Sequence, residues 1–68
     1  MGARQTDKVL DYLTEHGSIT TREAVIELSI MSLPKRIEEL RRAGHSIVTE
    51  YRRSTSGARY GVYRLEER

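Results

Sequence analysis

The stretch SLPKRIEELRRAGHSI, residues 32–47, holds an amphipathic helix and the start of a strand in one short segment. Leu33, Ile37 and Leu40 follow the i, i+4, i+7 spacing that places apolar side chains on one face of a helix. Ser32 is a preferred N-cap residue, and a proline in the first turn costs little because its missing amide has no partner there. The pattern predicts a helix over about residues 33–43 that Gly44 ends.

A first helix is expected over about residues 6–16, where Val9, Leu10 and Leu13 form an apolar stripe. Gly17 follows directly and suits the left-handed conformation that ends many helices. The next three residues, SIT, fit a short extended segment.

A second helix is expected over about residues 21–28. Thr20 and Glu23 have the spacing of a capping box, in which each side chain bonds the backbone amide of the other residue. The small and apolar residues of this helix that are expected to face the core are Ala24, Val25 and Leu28.

Two segments rich in β-branched and aromatic residues, HSIVTEYRR and ARYGVYRL, flank the turn-forming cluster STSG and predict a β-hairpin. Ile47, Tyr63 and Leu65 are expected to share the inward face, since a register slip of one residue would move them into water. A five-residue loop with Arg53 opposite Arg59 satisfies this requirement. A three-residue loop satisfies it equally well.

Three helices, a short strand between the first two, and a C-terminal hairpin over about residues 46–65 describe an α+β fold, the winged helix. In that fold the second and third helices form a helix-turn-helix and the hairpin is the wing. The chain of 68 residues is expected to be a single domain of this kind, residues 1–68.

The segment GSITTREAVIELSIMSLPKRIEELRRAGHSI resembles the compact winged helix-turn-helix domains of bacteriophage and prophage DNA-binding proteins. One position departs from the pattern, because such domains often have glycine in the turn where this chain has Ser29. A serine that needs a positive φ carries a steric cost. The residues that carry the resemblance are Ile19, Thr20, Ala24, Leu28, Arg36, Ile37, Leu40, Arg41, Gly44, Ile47, Tyr63 and Leu65.

Charge is distributed unevenly although the net charge is only +2. Residues 1–34 contain three basic and five acidic side chains, whereas residues 35–68 contain nine basic and five acidic ones. This asymmetry predicts one surface that meets an anion and a second surface that does not.

The polar side of the third helix has the chemistry of a major-groove reader. Lysine and arginine reach guanine O6 and N7 there, and glutamate accepts from cytosine N4. An ordinary solvated face is the alternative, because lysine and glutamate three or four residues apart are common on exposed helices. The predicted contact residues of this helix are Ser32 and Lys35 at or near bases, Arg36, Arg41 and Arg42 at phosphates, and Glu39.

The predicted wing adds Arg52, Arg53 and Arg59 around the small hydroxyl residues of its tip. Such a tip suits the DNA backbone or a narrow minor groove. Basic residues also protect edge strands against aggregation, so this cluster has a purely structural alternative.

Other classes of function lack support. The chain has no cysteine, and His16 and His45 are far apart, so no metal site or other cofactor is expected. No nucleophile–base pair or phosphate-binding glycine loop suggests an enzyme. No apolar run approaches the roughly 18 residues of a membrane span, and a cytoplasmic location is expected.

The sequence therefore predicts a non-enzymatic double-stranded DNA-binding domain, a regulator of phage or bacterial transcription or recombination. A domain this small reads few base pairs, so a homodimer or a companion protein is a further expected partner. The alternative is a winged-helix module for protein–protein contact without DNA, to which exposed Ile26 and Met31 would be suited.

Overall fold

Three helices and three strands follow one another in the computed structural model, which describes residues 4–66. The expected α+β winged-helix fold, three helices with a C-terminal hairpin, is confirmed. The elements in chain order are α1 (Gln5–His16), β1 (Ser18–Thr20), α2 (Thr21–Leu28), α3 (Leu33–Arg42), β2 (Ile47–Arg53) and β3 (Arg59–Leu65).

Helix α1 ends at a glycine in the left-handed conformation, as the sequence predicts. Gly17 has a φ of 86° and its amide donates to the Leu13 carbonyl at 2.7 Å. This closure turns the chain directly into β1. His16, in the last turn, stacks its ring on that of Tyr12, with the ring centroids 4.2 Å apart.

Helix α2 begins with the predicted capping box. The Thr20 amide donates to the Glu23 carboxylate at 2.9 Å, and the Glu23 amide donates to the Thr20 hydroxyl at 3.1 Å. The box satisfies two amides that the first turn would otherwise leave without a partner. The position of α2 after β1 is therefore set by local hydrogen bonds.

The turn between α2 and α3 forces a non-glycine residue into the left-handed region. Ser29 has a φ of 58°, and among the described residues it is the one non-glycine position with a positive φ. Its amide donates to the Val25 carbonyl, and the Ile30 amide donates to the Ala24 carbonyl at 2.9 Å. This conformation brings Ile30 into the core, where it is buried.

We expect Ser29→Gly to stabilise the protein by about 0.5–1 kcal/mol, because glycine adopts this conformation without the Cβ clash that costs an L-residue ~1–2 kcal/mol. The melting temperature should rise by roughly 2–8 °C in a domain of this size. Ser32→Gly is the matched control, since Ser32 has a φ of −113°. A higher melting temperature in both variants, or in neither, would contradict backbone strain at Ser29.

Helix α3 starts with Pro34 in its first turn and ends before Gly44, which has a φ of 106°. Ser32 occupies the N-cap position as expected, but its side chain makes no capping hydrogen bond. Its hydroxyl is therefore not needed to hold the helix end. Leu33, Ile37 and Leu40 are all buried, so the predicted apolar face is confirmed.

The sheet is antiparallel, with β3 between β1 and β2. Ile19 of β1 pairs with Tyr63, and in the hairpin Arg53 pairs with Arg59. Of the two loop lengths that the sequence allowed, the structure has the five-residue one. Ser54 closes that loop, with its amide donating to the Ala58 carbonyl at 2.8 Å.

Alternation along the strands gives the hairpin two distinct faces. The helix-side face is the one that packs on the helices through Ile47, Tyr63 and Leu65. Farther from the core it continues through Thr49, Tyr51 and Arg53 of β2 and through Arg59 and Gly61 of β3. The outer face carries Val48, Glu50, Arg52, Tyr60, Val62 and Arg64.

One apolar residue is placed differently from the sequence-based expectation, and a second is buried on the outer face of the hairpin. Val25 was expected to face the core but is 38% exposed on α2, where Ala24 and Leu28 supply the inward contacts. Val62 lies on the outer face, yet it is only 2% exposed. Its strand is the central one, so Val62 pairs with Thr20 on one side and with Glu50 on the other.

Candidate nucleic-acid interface

The exposed side of α3 carries Ser32, Lys35 and Arg42. Arg42 forms an i,i+4 ion pair with Glu38 at 2.9 Å, with both side chains largely exposed. Within the described part of the chain Lys35 forms no ion pair. Lys35 is thus the cation on this side whose ammonium group is available to a ligand.

One flank of α3 turns toward the start of α1. Arg36 and Glu39 form an ion pair at 3.2 Å. They line a groove together with residues 4–7, which are the N-cap and the first turn of α1. The Arg36 side chain is only 20% exposed, and its Nε atom is buried without a hydrogen-bond partner among residues 4–66. Arg36 is therefore largely withdrawn from solvent at the α1 edge of the surface, where it is paired with Glu39.

The other flank of α3 is tied to the wing by Arg41. Its Nε atom donates to the Ile47 carbonyl at 2.9 Å, and its Nη2 atom donates to the Thr49 hydroxyl at 3.0 Å. A guanidinium has five N–H donors, so donors remain for a ligand. Because Thr49 lies on the helix-side face, Arg41 joins the exposed side of α3 to that face of the wing.

Arg53 and Arg59 lie opposite each other near the tip of the wing, on the helix-side face. The Arg59 guanidinium carbon is 4.8 Å from the centroid of the Tyr51 ring. Among the described residues neither arginine forms an ion pair. Two arginines without an ion pair thus occupy opposite positions on the face that Arg41 connects to α3.

Arg52 lies on the outer face, away from those two arginines. It contacts Glu50 at 3.3 Å, and Arg64 binds both Glu50 and Glu66. The hydrogen bond and charge of Arg64, with a smaller contribution from Arg52, hold the pKa of the Glu50 carboxyl below its usual value. The outer face is therefore a network of compensated charges.

Carboxylates gather around Tyr12 where α1 and α2 meet. Burial of the Tyr12 hydroxyl raises its pKa, and the charges of Glu23, Glu27 and Glu15 raise it further. These groups make the α1–α2 surface acidic, which disfavours contact with a polyanion.

The nine residues predicted to contact DNA fall into three groups. Ser32, Lys35, Arg41, Arg42, Arg53 and Arg59 belong to the connected surface formed by α3 and the helix-side face. Arg36 and Glu39 lie at its α1 edge, and Arg52 lies on the outer face. Tyr51 is not among the nine predicted contact residues, since cross-strand packing was its expected role. Its contact with Arg59 becomes evident only from the strand register, which places Arg59 diagonally opposite.

No helix in residues 4–66 has the length and apolar character to cross a bilayer. The same residues contain no cluster of histidine, cysteine and acidic side chains with the geometry of a metal site.

Comparison with known proteins gives one match. A family model described as a winged helix-turn-helix domain matches residues 4–68. Searches of curated proteins and of solved structures found no significant match. The matched family points to DNA binding in general. With nearly all of its length matched and with the corresponding helices and hairpin in place, the chain belongs to the winged helix-turn-helix domain family.

Proposed function

We propose that this protein binds double-stranded DNA with sequence preference, as a regulator of transcription or recombination in a phage-infected or bacterial cytoplasm. The observation that carries the proposal is the connected cationic surface formed by α3 and the helix-side face of the wing. Arg41 bridges its two parts through hydrogen bonds to β2. An α-helix fits the major groove, and the adjacent wing would then meet the backbone or the minor groove.

Helix α3 would supply the contacts that distinguish sequences. Lys35 is the proposed base-reading residue, with Ser32 beside it at the start of the helix. Glu39 is suited to accept from cytosine N4, although its ion pair with Arg36 must rearrange first. Arg42 would exchange its exposed pair with Glu38 for a phosphate, a small cost because exposed ion pairs contribute little.

The remaining arginines would position the domain on the backbone. Arg36 would bind a phosphate at the α1 edge, and Arg41 would use the donors that β2 leaves open. Arg53 and Arg59 would act from the wing without losing an existing ion pair. Arg52 is assigned a smaller share, because Glu50 already neutralises it on the outer face.

A single copy would cover few base pairs, so we propose that selective binding requires a second copy or a companion protein. Half-sites for a dimer would then be spaced by about one helical turn, or multiples of it. Selection from random duplexes would reveal this as a repeated or palindromic motif.

The test of the proposal is binding to mixed-sequence duplex DNA at increasing salt. Five arginines bound at the backbone or in a groove, each releasing about one counterion, predict a slope of log K against log salt of about −4 to −5. Raising salt from about 50 to 200 mM should then weaken binding by roughly 500-fold. Failure to bind at the lowest salt would overturn the proposal.

Lys35→Ala provides the sequence-specific arm of this test, and Lys8→Ala on α1 is its matched control. Both replacements remove one exposed lysine, so they change the net charge equally. Lys35→Ala should change the preferred sequence and weaken the binding free energy at the best DNA site by about 1–3 kcal/mol. Lys8→Ala should change neither the preferred sequence nor the affinity. Equal changes in sequence preference and affinity in the two variants would show that Lys35 does not recognise a base.

A second candidate function, protein–protein contact, has one observation in its favour. Ile26 is 62% exposed and Met31 is 77% exposed, and both belong to the helix-turn-helix. Apolar side chains at such positions suit a protein surface. Absence of salt-sensitive duplex binding would favour this candidate.

A further inference from the structure

Tyr51 is an exposed aromatic residue on the wing that contributes little to the core. Its side chain is 64% exposed, and it lies beyond the part of β2 that packs on the helices. The face of its ring is occupied by the Arg59 guanidinium, 4.8 Å from the ring centroid. A cation at this distance is attracted by the ring quadrupole. Tyr51 therefore favours a position of the Arg59 guanidinium over its ring.

The strand register explains how the ring reaches Arg59. Tyr51 pairs with Gly61, and Arg59 lies two residues before Gly61 on the same face of β3. A Cβ atom built at Gly61 would lie 3.8 Å from the Tyr51 ring, in ordinary van der Waals contact. With no side chain there, the ring lies across β3 and extends diagonally to Arg59.

Arg59 is held in a different way from the arginines of the outer face. Carboxylates bind Arg52 and Arg64, whereas in the described structure Arg59 contacts an uncharged ring and stands opposite another arginine, Arg53. A ring contact consumes none of the five N–H donors and neutralises none of the charge. Arg59 is thus oriented and still fully cationic.

We propose that Arg59 enters the minor groove beside the α3 site and that Tyr51 is its positioning residue. This inference rests on the proposed duplex binding and deepens it. Narrow A·T-rich minor grooves have enhanced negative potential and attract inserted arginines. Orientation by Tyr51 reduces the freedom that Arg59 loses on insertion. The wing then contributes a preference for A·T-rich flanks, in addition to the sequence that α3 reads.

The experiment compares two duplex pools with the same randomised centre of about one helical turn, flanked either by A-tracts or by alternating G·C pairs. The wild-type protein should prefer the A-tract pool by at least about fivefold. Arg59→Ala should abolish this preference. Tyr51→Leu should reduce it by about two- to fivefold, the size of an exposed cation–π contact, and Tyr51→Phe should retain it.

Tyr60→Leu is the matched control, since Tyr60 is a partly exposed tyrosine on the outer face of the same strand pair. It should leave the flank preference unchanged. In the free protein, NMR should show a ring-current upfield shift of the Arg59 side-chain protons that Tyr51→Leu removes and Tyr51→Phe keeps. This readout detects the stacking without DNA.

The outcomes separate the two proposals. Salt-sensitive binding without flank preference overturns the minor-groove assignment and leaves duplex binding standing. An unchanged preference in Tyr51→Leu, with loss in Arg59→Ala, overturns the role of Tyr51 alone. Absence of duplex binding by the wild-type protein overturns the proposed function and this inference with it.

Discussion

Replacing Arg53 and Arg59 together by glutamine is expected to weaken binding to mixed-sequence duplex DNA by about 150-fold or more at low salt. Each residue would lose a charge-assisted contact, which typically contributes ~1.5 kcal/mol or more. The slope of log K against log salt should flatten by about 2, because two fewer counterions are released per complex. Fluorescence anisotropy at four or five salt concentrations measures both quantities.

The matched control is the replacement of Arg52 and Arg64 by glutamine. It removes the same two charges from the same two strands, but from the outer face, where Glu50 and Glu66 already compensate them. Affinity should fall by less than about threefold, since compensated surface charges contribute little to binding. Equal losses in the two double variants would mean that only net charge matters and that the helix-side face has no special role.

The folded state gives this experiment an internal check. Arg53 and Arg59 are directly opposite in the register, and like charges in that arrangement destabilise a sheet by ~0.2–1 kcal/mol. The double glutamine variant loses this repulsion together with the Arg59–Tyr51 contact of similar size, so its stability should be close to that of the wild-type protein. Weaker DNA binding together with an unchanged or raised melting temperature would exclude unfolding as its cause.

The sequence predicted those parts of the fold that depend on residues close together in the chain. Gly17 closes α1, the pair Thr20–Glu23 caps α2, and the spacing of Leu33, Ile37 and Leu40 forms the buried stripe of α3. These features depend on hydrogen bonds and contacts within about one or two helical turns. For that reason they can be predicted without knowledge of the tertiary structure.

Features that depend on strand pairing could not be predicted in the same way. The alternation around Ile47, Tyr63 and Leu65 allowed loops of three or five residues, because both keep the apolar residues on one face. Strand alternation alone places Arg53 and Arg59 on that face and Arg52 on the other, whichever loop is formed. The loop length decides which residues stand directly opposite each other, and the longer loop pairs Arg53 with Arg59 and Tyr51 with Gly61.

Side-chain partners within the interface were also beyond sequence patterns. On a helical wheel Arg36 and Arg41 lie at equivalent positions, one on each side of the buried stripe of α3. Only the packing of α3 between α1 and β2 shows that Arg36 turns toward α1 and that Arg41 binds β2. Their proposed roles at phosphates are accordingly restricted to the donors that these contacts leave free.

Replacing Ile37 by alanine is expected to lower the free energy of unfolding by about 2–5 kcal/mol. Ile37 is fully buried in the middle of α3, and truncation removes its apolar contacts and leaves a cavity. The core of a domain this small supplies only ~3–5 kcal/mol of net stability, so a large fraction of the variant should be unfolded at 25 °C. Urea denaturation followed by circular dichroism measures the loss.

Ile26→Ala is the matched control for this core replacement, because it makes the same chemical change in a helix at a side chain that is 62% exposed. Its free energy of unfolding should change by no more than about 0.5 kcal/mol. Similar losses at both positions would contradict the burial of Ile37. Comparing the two variants thus separates the contribution of a buried isoleucine to the free energy of unfolding from that of an exposed one.

The Ile37→Ala variant should also lose apparent DNA affinity, but for a reason different from that of the wing variant. Its folded molecules keep every proposed contact, so the apparent Kd rises only by the inverse of the folded fraction. Saturating DNA should therefore restore the helical circular dichroism signal, because a ligand that binds the folded state alone shifts the equilibrium toward it. The wing variant remains folded throughout and binds weakly because its contacts are missing. Recovery of structure without recovery of the wild-type salt slope would show that the cavity also distorts the polar side of α3.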